Sequence, residues 1–265
     1  MALIHHVVAG QGLPPVVFVH GFGCAHGDWD AQVAHFSPTH QTVAVDLRGH
    51  GASPGDADLC SIERYGADVA EAMHALALSP AVLVGHSMGC RVVTEAALQA
   101  PDRTAGVVLL DGSQFAGAMG PVLRKRFAEP DGYATMVTGM FTDMFTAKSD
   151  PHMAASVVAR AQSLPRPVGE KMLLDMQRYD TGRLAQSLAS LKVPVMAIQS
   201  TYSNDKRERR PLLAGQTTAY LDMLRARIPL VQVEIVPDTG HFPQIDESER
   251  TNALIGRFIA SITAG

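Results

Sequence analysis

The sequence has few charged residues, few cysteines and no long hydrophobic run. Charged side chains make up 18% of the 265 residues, with 22 basic against 26 acidic groups and a formal net charge of -4. A nucleic-acid-binding surface needs a basic excess, so we expect no nucleic-acid partner. No apolar run approaches the roughly 20 residues that span a bilayer, so we also expect no membrane partner.

The three cysteines, Cys24, Cys60 and Cys90, exclude a disulfide framework and a structural zinc site. They cannot all pair, and their spacing fits no zinc-binding pattern. The first residues, Met-Ala-Leu-Ile-His-His, contain neither the basic region nor the apolar core of a signal peptide. These observations predict reduced thiols, no metal and a cytoplasmic location.

Short apolar runs alternate with helical patterns along most of the chain. With 46% hydrophobic residues, the sequence is typical of a globular α/β protein. The alternation predicts a mostly parallel, doubly wound sheet covered by helices on both faces. Ser61 is placed as the N-cap of a helix over 62–76. The predicted strands are 3–9, 16–19, 42–45, 81–84, 106–110, 193–198 and 231–236.

The alternation stops between residues 112 and 191, where the pattern is helical with loop breaks at 130–132 and 165–167. We predict a helical cap over 112–191, inserted before the penultimate strand, and a core made of 1–111 and 192–265. Methionine adapts its shape, so the methionines of this segment could line a malleable pocket, although each one more often packs a core. They are Met119, Met136, Met140, Met144, Met153, Met172 and Met176.

Gly85-His86-Ser87-Met88-Gly89 is the segment with the clearest chemical meaning. An apolar strand precedes it and a helical pattern follows, so the chain must turn sharply at Ser87. Such a turn strains its central residue, and glycines on both sides relieve the crowding. The turn predicts a serine hydroxyl at the positive end of a helix, which makes Ser87 the candidate nucleophile.

Two other loops follow strands and should reach the same edge of the sheet. His20-Gly21-Phe22-Gly23 is a glycine-rich turn whose backbone amides could form one wall of an oxyanion hole. His241 lies in the turn after the last predicted strand. A serine hydroxyl needs a base within hydrogen-bond reach, and His241 is the best-placed histidine for that role.

With these residues, the sequence resembles the α/β-hydrolases over essentially its whole length. Four motifs in order carry the resemblance: residues 20–23, the Asp-Leu-Arg-Gly-His-Gly-Ala-Ser segment at 46–53, residues 85–89, and Gly240-His241-Phe242. The resemblance implies Ser87 as nucleophile, His241 as base, and the backbone N–H groups of Phe22 and Met88 as oxyanion hole. It also implies that no metal or organic cofactor is required.

The acid of the expected triad stays open at this stage. Most family members carry it in the turn after the strand that follows the cap, where this sequence has Ser203, with Asp205 nearby in a long polar loop over 201–210. Others carry it at the end of the strand before the cap, where Asp111 stands 24 residues after Ser87. Asp222 and Asp238 fit less well, on a predicted helix and turn.

The resemblance implies hydrolysis of a small apolar carboxylic ester or lactone through an acyl-enzyme. The same triad serves hydrolases that cleave a carbon–carbon bond in ring-fission products. Residues 49–54 and 241–246 also resemble cofactor-free dioxygenases of this fold, in which a pair such as His241–Asp111 abstracts a substrate proton. A binding protein on a hydrolase scaffold is a further alternative. Oligomeric state, acyl length and stereoselectivity are not readable from the sequence.

Overall fold

The computed structural model describes residues 3–115, 117, 119–204 and 208–263. The strands are β1 (His6–Ala9), β2 (Val16–Val19), β3 (Thr42–Val45), β4 (Ala81–His86), β5 (Thr104–Leu110), β6 (Val195–Gln199), β7 (Thr201–Ser203), β8 (Arg209–Pro211) and β9 (Gln232–Ile235). The first helices are α1 (Asp30–Phe36), α2 (Ile62–Ala75) and α3 (Met88–Gln99). They are followed by α4 (Met119–Phe127), α5 (Gly132–Thr142), α6 (Pro151–Ser163), α7 (Arg166–Gly182), α8 (Leu184–Ser190), α9 (Ala219–Arg227), α10 (Pro243–Asp246) and α11 (Ser248–Thr263). Short 3-10 turns lie at His26–Trp29, Ala57–Leu59 and Pro101–Arg103.

The main sheet has the strand order β1-β3-β2-β4-β5-β6-β9 among the described residues. β1 pairs with β3 antiparallel, and every other pairing in this sheet is parallel. The prediction of a mostly parallel, doubly wound sheet of the α/β-hydrolase type is therefore confirmed. Because the strands are parallel, the loops after β2, β4, β5 and β9 leave the sheet at one edge.

Side chains alternate between two buried layers, one on each face of the sheet. On β4, Leu83 packs into the layer formed with α2, α3 and the later helices, whereas Val82 and Val84 face α1 and α11. The runs at Val16–Val19 and Thr42–Val45 are buried throughout, which explains why they read as unbroken apolar segments.

Helices α4 to α8 lie between β5 and β6, in the segment assigned above to a cap. Residues of α5 and α7 lie over the loops at the carboxyl edge of the sheet. A Cβ placed on Gly23 would be 2.9 Å from Phe141 Cζ, and one on Gly49 would be 2.8 Å from Val168 Cγ1. The division of the chain into a core and a separate cap stays a prediction. Within the described ranges, no helix combines the length and hydropathy that a membrane crossing requires.

Two predicted elements differ from the structure. The polar loop predicted over 201–210 contains a hairpin, in which β7 pairs antiparallel with β8 and Thr201 lies opposite Pro211. The pattern after the last strand predicts a final helix from 246 to about 262, and this helix is divided, because Glu247 leaves helical geometry (φ -132°, ψ 49°) between α10 and α11. The sequence has no marked hydrophobic pattern that would predict either the pairing of β7 with β8 or the break at Glu247.

Candidate active site

Ser87 occupies the sharp turn between β4 and α3. Its backbone has φ 55° and ψ -112°, and its N–H donates to the carbonyl of Leu110 at 2.9 Å. A Cβ on Gly85 would lie 2.3 Å from the Gly89 carbonyl oxygen, and one on Gly89 would lie 2.4 Å from that of Val19. The turn therefore has the expected strain at Ser87, and it requires glycine on both sides.

The loop after β2 lies directly against Ser87. A Cβ on Gly21 would be 3.1 Å from the Cβ of Ser87. His20 holds this loop in place, since its Nδ1–H donates to the Gly21 carbonyl at 2.7 Å and its Nε2 accepts from the Leu47 amide at 3.0 Å. Burial lowers the pKa of His20 to about 3, so the ring is neutral and this pair of bonds fixes its tautomer.

Two backbone amides near Ser87 are available to a ligand oxygen. Met88 is the first residue of α3, and amides in the first turn of a helix have no helical acceptor. In the described part of the chain, the Phe22 amide has no backbone acceptor either. The side chains of both residues are buried.

Among the described residues, His241 pairs with the carboxylate of Asp111. The distance from His241 Nδ1 to Asp111 Oδ2 is 2.6 Å, and both side chains are almost completely buried. The two residues follow β9 and β5. Asp205 lies outside the described residues. Asp238 is largely exposed and pairs with Lys148.

The Asp111 carboxylate is held by four donors. Oδ1 accepts the amides of Ser200 and Thr201, each at 2.7 Å, and Oδ2 accepts the Thr201 hydroxyl at 2.5 Å as well as His241 Nδ1. Burial opposes the charge, but these hydrogen bonds and the nearby Arg209 prevail and lower the pKa of Asp111. Asp111 is therefore a charged, oriented carboxylate that fixes the proton of His241 on Nδ1.

The backbone of His241 is fixed on both sides. Its amide donates to the Met144 carbonyl at 2.7 Å, and its carbonyl accepts from His86 Nε2 at 2.7 Å. Burial, together with the charge of Arg209, lowers the pKa of His241 to about 4 in spite of Asp111. Nε2 is buried and has no protein partner in the described part of the chain. It is an unprotonated nitrogen that can accept a proton.

Arg209 was not identified as a site residue from the sequence. Its Nη1 lies 3.1 Å from His241 Nδ1, donates to the Thr201 hydroxyl at 2.7 Å, and is 3.7 Å from Asp111 Oδ2. Its position depends on the β7–β8 hairpin, and the polar run around it resembles an ordinary solvated loop. No sequence signal distinguishes it from the neighbouring Arg210.

One group of side chains has the donor types of a metal site. His5, His26 and Asp46 bring their ligand atoms within 4.8 Å of one another. Asp46 already accepts the amides of His26 and Ala52, as well as both imidazoles at 2.9–3.0 Å. These are hydrogen-bond distances, and they describe a carboxylate satisfied by the protein itself.

Comparisons with known proteins agree with this architecture. Residues 16–254 match the family described as the Alpha/beta hydrolase family. The chain is 30% identical over 265 residues to the pimeloyl-[acyl-carrier protein] methyl ester esterase of Methylococcus capsulatus, covering 96% of this chain and 97% of that protein. It is 24% identical to the 3-oxoadipate enol-lactonase 1 of Acinetobacter baylyi, over 95% of this chain and 91% of the relative.

Among solved structures, the enol-lactonase from Burkholderia xenovorans superimposes with a TM-score of 0.80 at 21% identity. The superposition covers 97% of this chain and 96% of that one, and at this identity it is informative about the fold alone. The match over 239 residues and the full-length relative carry the assignment. With its parallel sheet, its strained serine turn and these matches, the chain belongs to the alpha/beta hydrolase family.

Proposed function

We propose that the protein is a serine hydrolase that cleaves a small apolar carboxylic ester or lactone. The observation that supports this most directly is the buried His241–Asp111 pair at the sheet edge where the strained turn presents Ser87. Relatives named as a methyl ester esterase and an enol-lactonase point to the same class of reaction.

In the proposed reaction, Nε2 of His241 accepts the proton of Ser87 while Oγ attacks the ester carbonyl. The amides of Phe22 and Met88 donate to the oxyanion of the tetrahedral intermediate. His241 then returns the proton to the leaving alcohol, and the charge of Asp111 stabilises the imidazolium in between. A water molecule, activated by the same histidine, releases the acid from Ser87.

The substrate preference follows from the side chains around the serine turn. Phe22 and Met88 are buried apolar residues beside it, and Phe141 of α5 lies 6.4 Å from Phe22 between ring centroids. This surrounding favours a short apolar acyl group over a charged one. These steps require no metal or organic cofactor. Cytoplasmic location remains a prediction that we make from the cysteine usage.

The test is steady-state hydrolysis of a series of short p-nitrophenyl esters by wild type and Ser87→Ala. We expect kcat of Ser87→Ala to fall by about three or more decades, because the nucleophile is lost while the fold is retained. A thermal melt provides the control for folding. Full ester hydrolysis by Ser87→Ala would disprove the proposal.

A second candidate is proton abstraction by His241 in a cofactor-free oxygenation. It is favoured by one observation: no hydrogen bond joins the Ser87 hydroxyl to His241 in the described residues, and Nε2 of His241 has no protein partner. In this reaction Nε2 takes a proton from the substrate itself and Ser87 forms no covalent bond. Oxygen consumption with a hydroxyquinolone-type substrate, retained in Ser87→Ala and lost in His241→Ala, would replace the first proposal with this one.

A further inference from the structure

Arg209 is a largely buried cation whose ion pair, with Asp111, is long and shared with closer donors. Its side chain is 16% exposed, and the carboxylate within 4 Å among the described residues is that of Asp111, at 3.7 Å. Asp111 already accepts four closer hydrogen bonds and has no need of this donor. Nη1 of Arg209 binds the Thr201 hydroxyl, while Nε and Nη2 have no partner in the described part of the chain. Neither Nε nor Nη2 is buried without a partner, so an anion can reach both from the solvent side.

A cavity of about 290 Å³ adjoins the guanidinium. Its rim is open to solvent, because the side chains of Thr142, Asp143 and Arg210 are exposed. The lining includes no residue of 85–89 or 20–23, so the cavity does not extend to the serine turn. The residues that line it are Thr142, Asp143, Met144, Phe145, Thr146, Thr201, Arg209, Arg210, Pro211 and Gly240.

The charges of the lining favour a small anion. Arg210 is already paired with Glu208 at 2.8 Å, and Asp143 is joined to Arg209 by neither a hydrogen bond nor an ion pair. Among the described residues, Arg209 thus presents a fork of two donors without a protein partner, Nε and Nη2. Such a planar fork matches the two oxygens of a carboxylate.

Arg209 also interferes with the His241–Asp111 pair. A guanidinium can only donate hydrogen bonds and a carboxylate can only accept them, so Nδ1 of His241 cannot bond both at once. The contact of 3.1 Å to Nη1 therefore opposes the tautomer that Asp111 requires. The charge of Arg209 disfavours the imidazolium as well.

We propose that this cavity binds a small carboxylate, which pairs with Nε and Nη2 of Arg209 and thereby strengthens His241 as a base. The bound carboxylate neutralises the guanidinium and draws Nη1 away from Nδ1. Binding itself is independent of the proposed ester hydrolysis, and only the effect on His241 in turnover rests on that function.

Binding is tested by the thermal midpoint in sodium acetate against sodium chloride of equal ionic strength. We expect a saturable rise in wild type and in Ser87→Ala, a weaker rise in Arg209→Lys and none in Arg209→Gln. Arg210→Gln is the matched control and should keep the rise, since Arg210 is already paired. Asp143→Asn should bind acetate more tightly because a like charge leaves the rim. An equal rise in Arg209→Gln, or in chloride, would overturn the proposal.

The effect on His241 is read from the acid limb of kcat/KM. The charged or titratable groups that face His241 are Asp111, Arg209 and His86, whose ring is 4.7 Å away and whose pKa burial lowers strongly. Because Arg209 lowers the pKa of His241, acetate should move the acid limb to higher pH, and Arg209→Gln should do so without acetate. An acid limb unmoved by either change would overturn the control of His241.

If the protein hydrolyses no ester, the same effect is followed by ¹⁵N NMR of histidine-labelled protein, in which acetate should increase the Nδ1–H form of His241.

A series of straight-chain carboxylates identifies the source of the ligand. Tightest binding of the acid released from the preferred ester would make the ligand the product of the reaction. Tighter binding of an unrelated carboxylate would make it a separate effector.

Discussion

Asp111→Asn should abolish most activity while leaving the fold intact. Oδ1 of Asp111 accepts two backbone amides, from Ser200 and Thr201. An asparagine must keep its carbonyl oxygen at that position, since its amide group cannot accept these bonds. The amide nitrogen then takes the place of Oδ2 and donates to Nδ1 of His241.

This reversal puts the proton of His241 on Nε2, where it cannot accept the proton of Ser87. Nη1 of Arg209, 3.1 Å from Nδ1, supports the same wrong tautomer. A wrong tautomer in a serine–histidine–acid triad costs about 10⁴ in kcat, or about 5 kcal/mol of barrier. We therefore expect a loss of three to four decades, on the order of that value.

The assay is kcat on a short p-nitrophenyl ester, with the thermal midpoint measured alongside. Asp205→Asn is the matched control and should stay near wild type, because Asp111 is the carboxylate that bonds Nδ1 of His241 and the one to which we assign the acid role. A kcat of Asp111→Asn within tenfold of wild type, at an unchanged midpoint, would refute the tautomer argument. Loss in Asp205→Asn alone would transfer the acid role to that residue.

Further predictions concern stability and the loop beside Ser87. Arg91 and Asp180 form a buried ion pair between α3 and α7. Arg91→Ala leaves a buried charge unpaired, so it should lower the free energy of unfolding in urea by about 3–5 kcal/mol. A loss under about 1 kcal/mol would contradict this prediction. Gly21→Ala places a Cβ 3.1 Å from that of Ser87, so kcat should fall by about tenfold to a hundredfold as the oxyanion amides shift, whereas an unchanged kcat would show that the loop yields freely. Several buried histidines have pKa values below the usual 6.5, so below that pH each stays neutral in the folded protein and binds a proton on unfolding. The stability that they contribute is therefore complete above pH 6.5 and is lost as the pH falls toward about 4. The thermal midpoint should decline over this pH window, and a midpoint that does not change with pH would refute this prediction. The histidines concerned are His20, His50, His86 and His241.

Much of the fold was predictable because buried segments have a recognisable local pattern of hydrophobic residues. Val16–Val19 and Thr42–Val45 have the predicted bounds, since each is an apolar run buried on both faces. Ser61 caps α2 through a bond to the Arg64 amide, as the cap pattern predicts. The strain at Ser87 was likewise readable, because a glycine-flanked serine between a strand and a helix has few conformations.

The partners of His241 were not predictable to the same degree. Spacing left Asp111 and Asp205 open, and the contact of Asp111 with His241 depends on the pairing of β5 with β6 and of β6 with β9. Arg209 depends on the β7–β8 pairing, which links residues across a polar run with no hydrophobic period. Non-local pairing of this kind has no signature in a single sequence.

In the proposed reaction, Ser87 carries the acyl group during turnover. The measurement that tests it most directly is intact-protein and peptide mass spectrometry of rapidly quenched enzyme during hydrolysis of a short p-nitrophenyl ester. We expect an acyl adduct on Ser87 in wild type that is absent in Ser87→Ala. Turnover by wild type without any adduct, matched by equal turnover in Ser87→Ala, would contradict it and favour proton abstraction by His241.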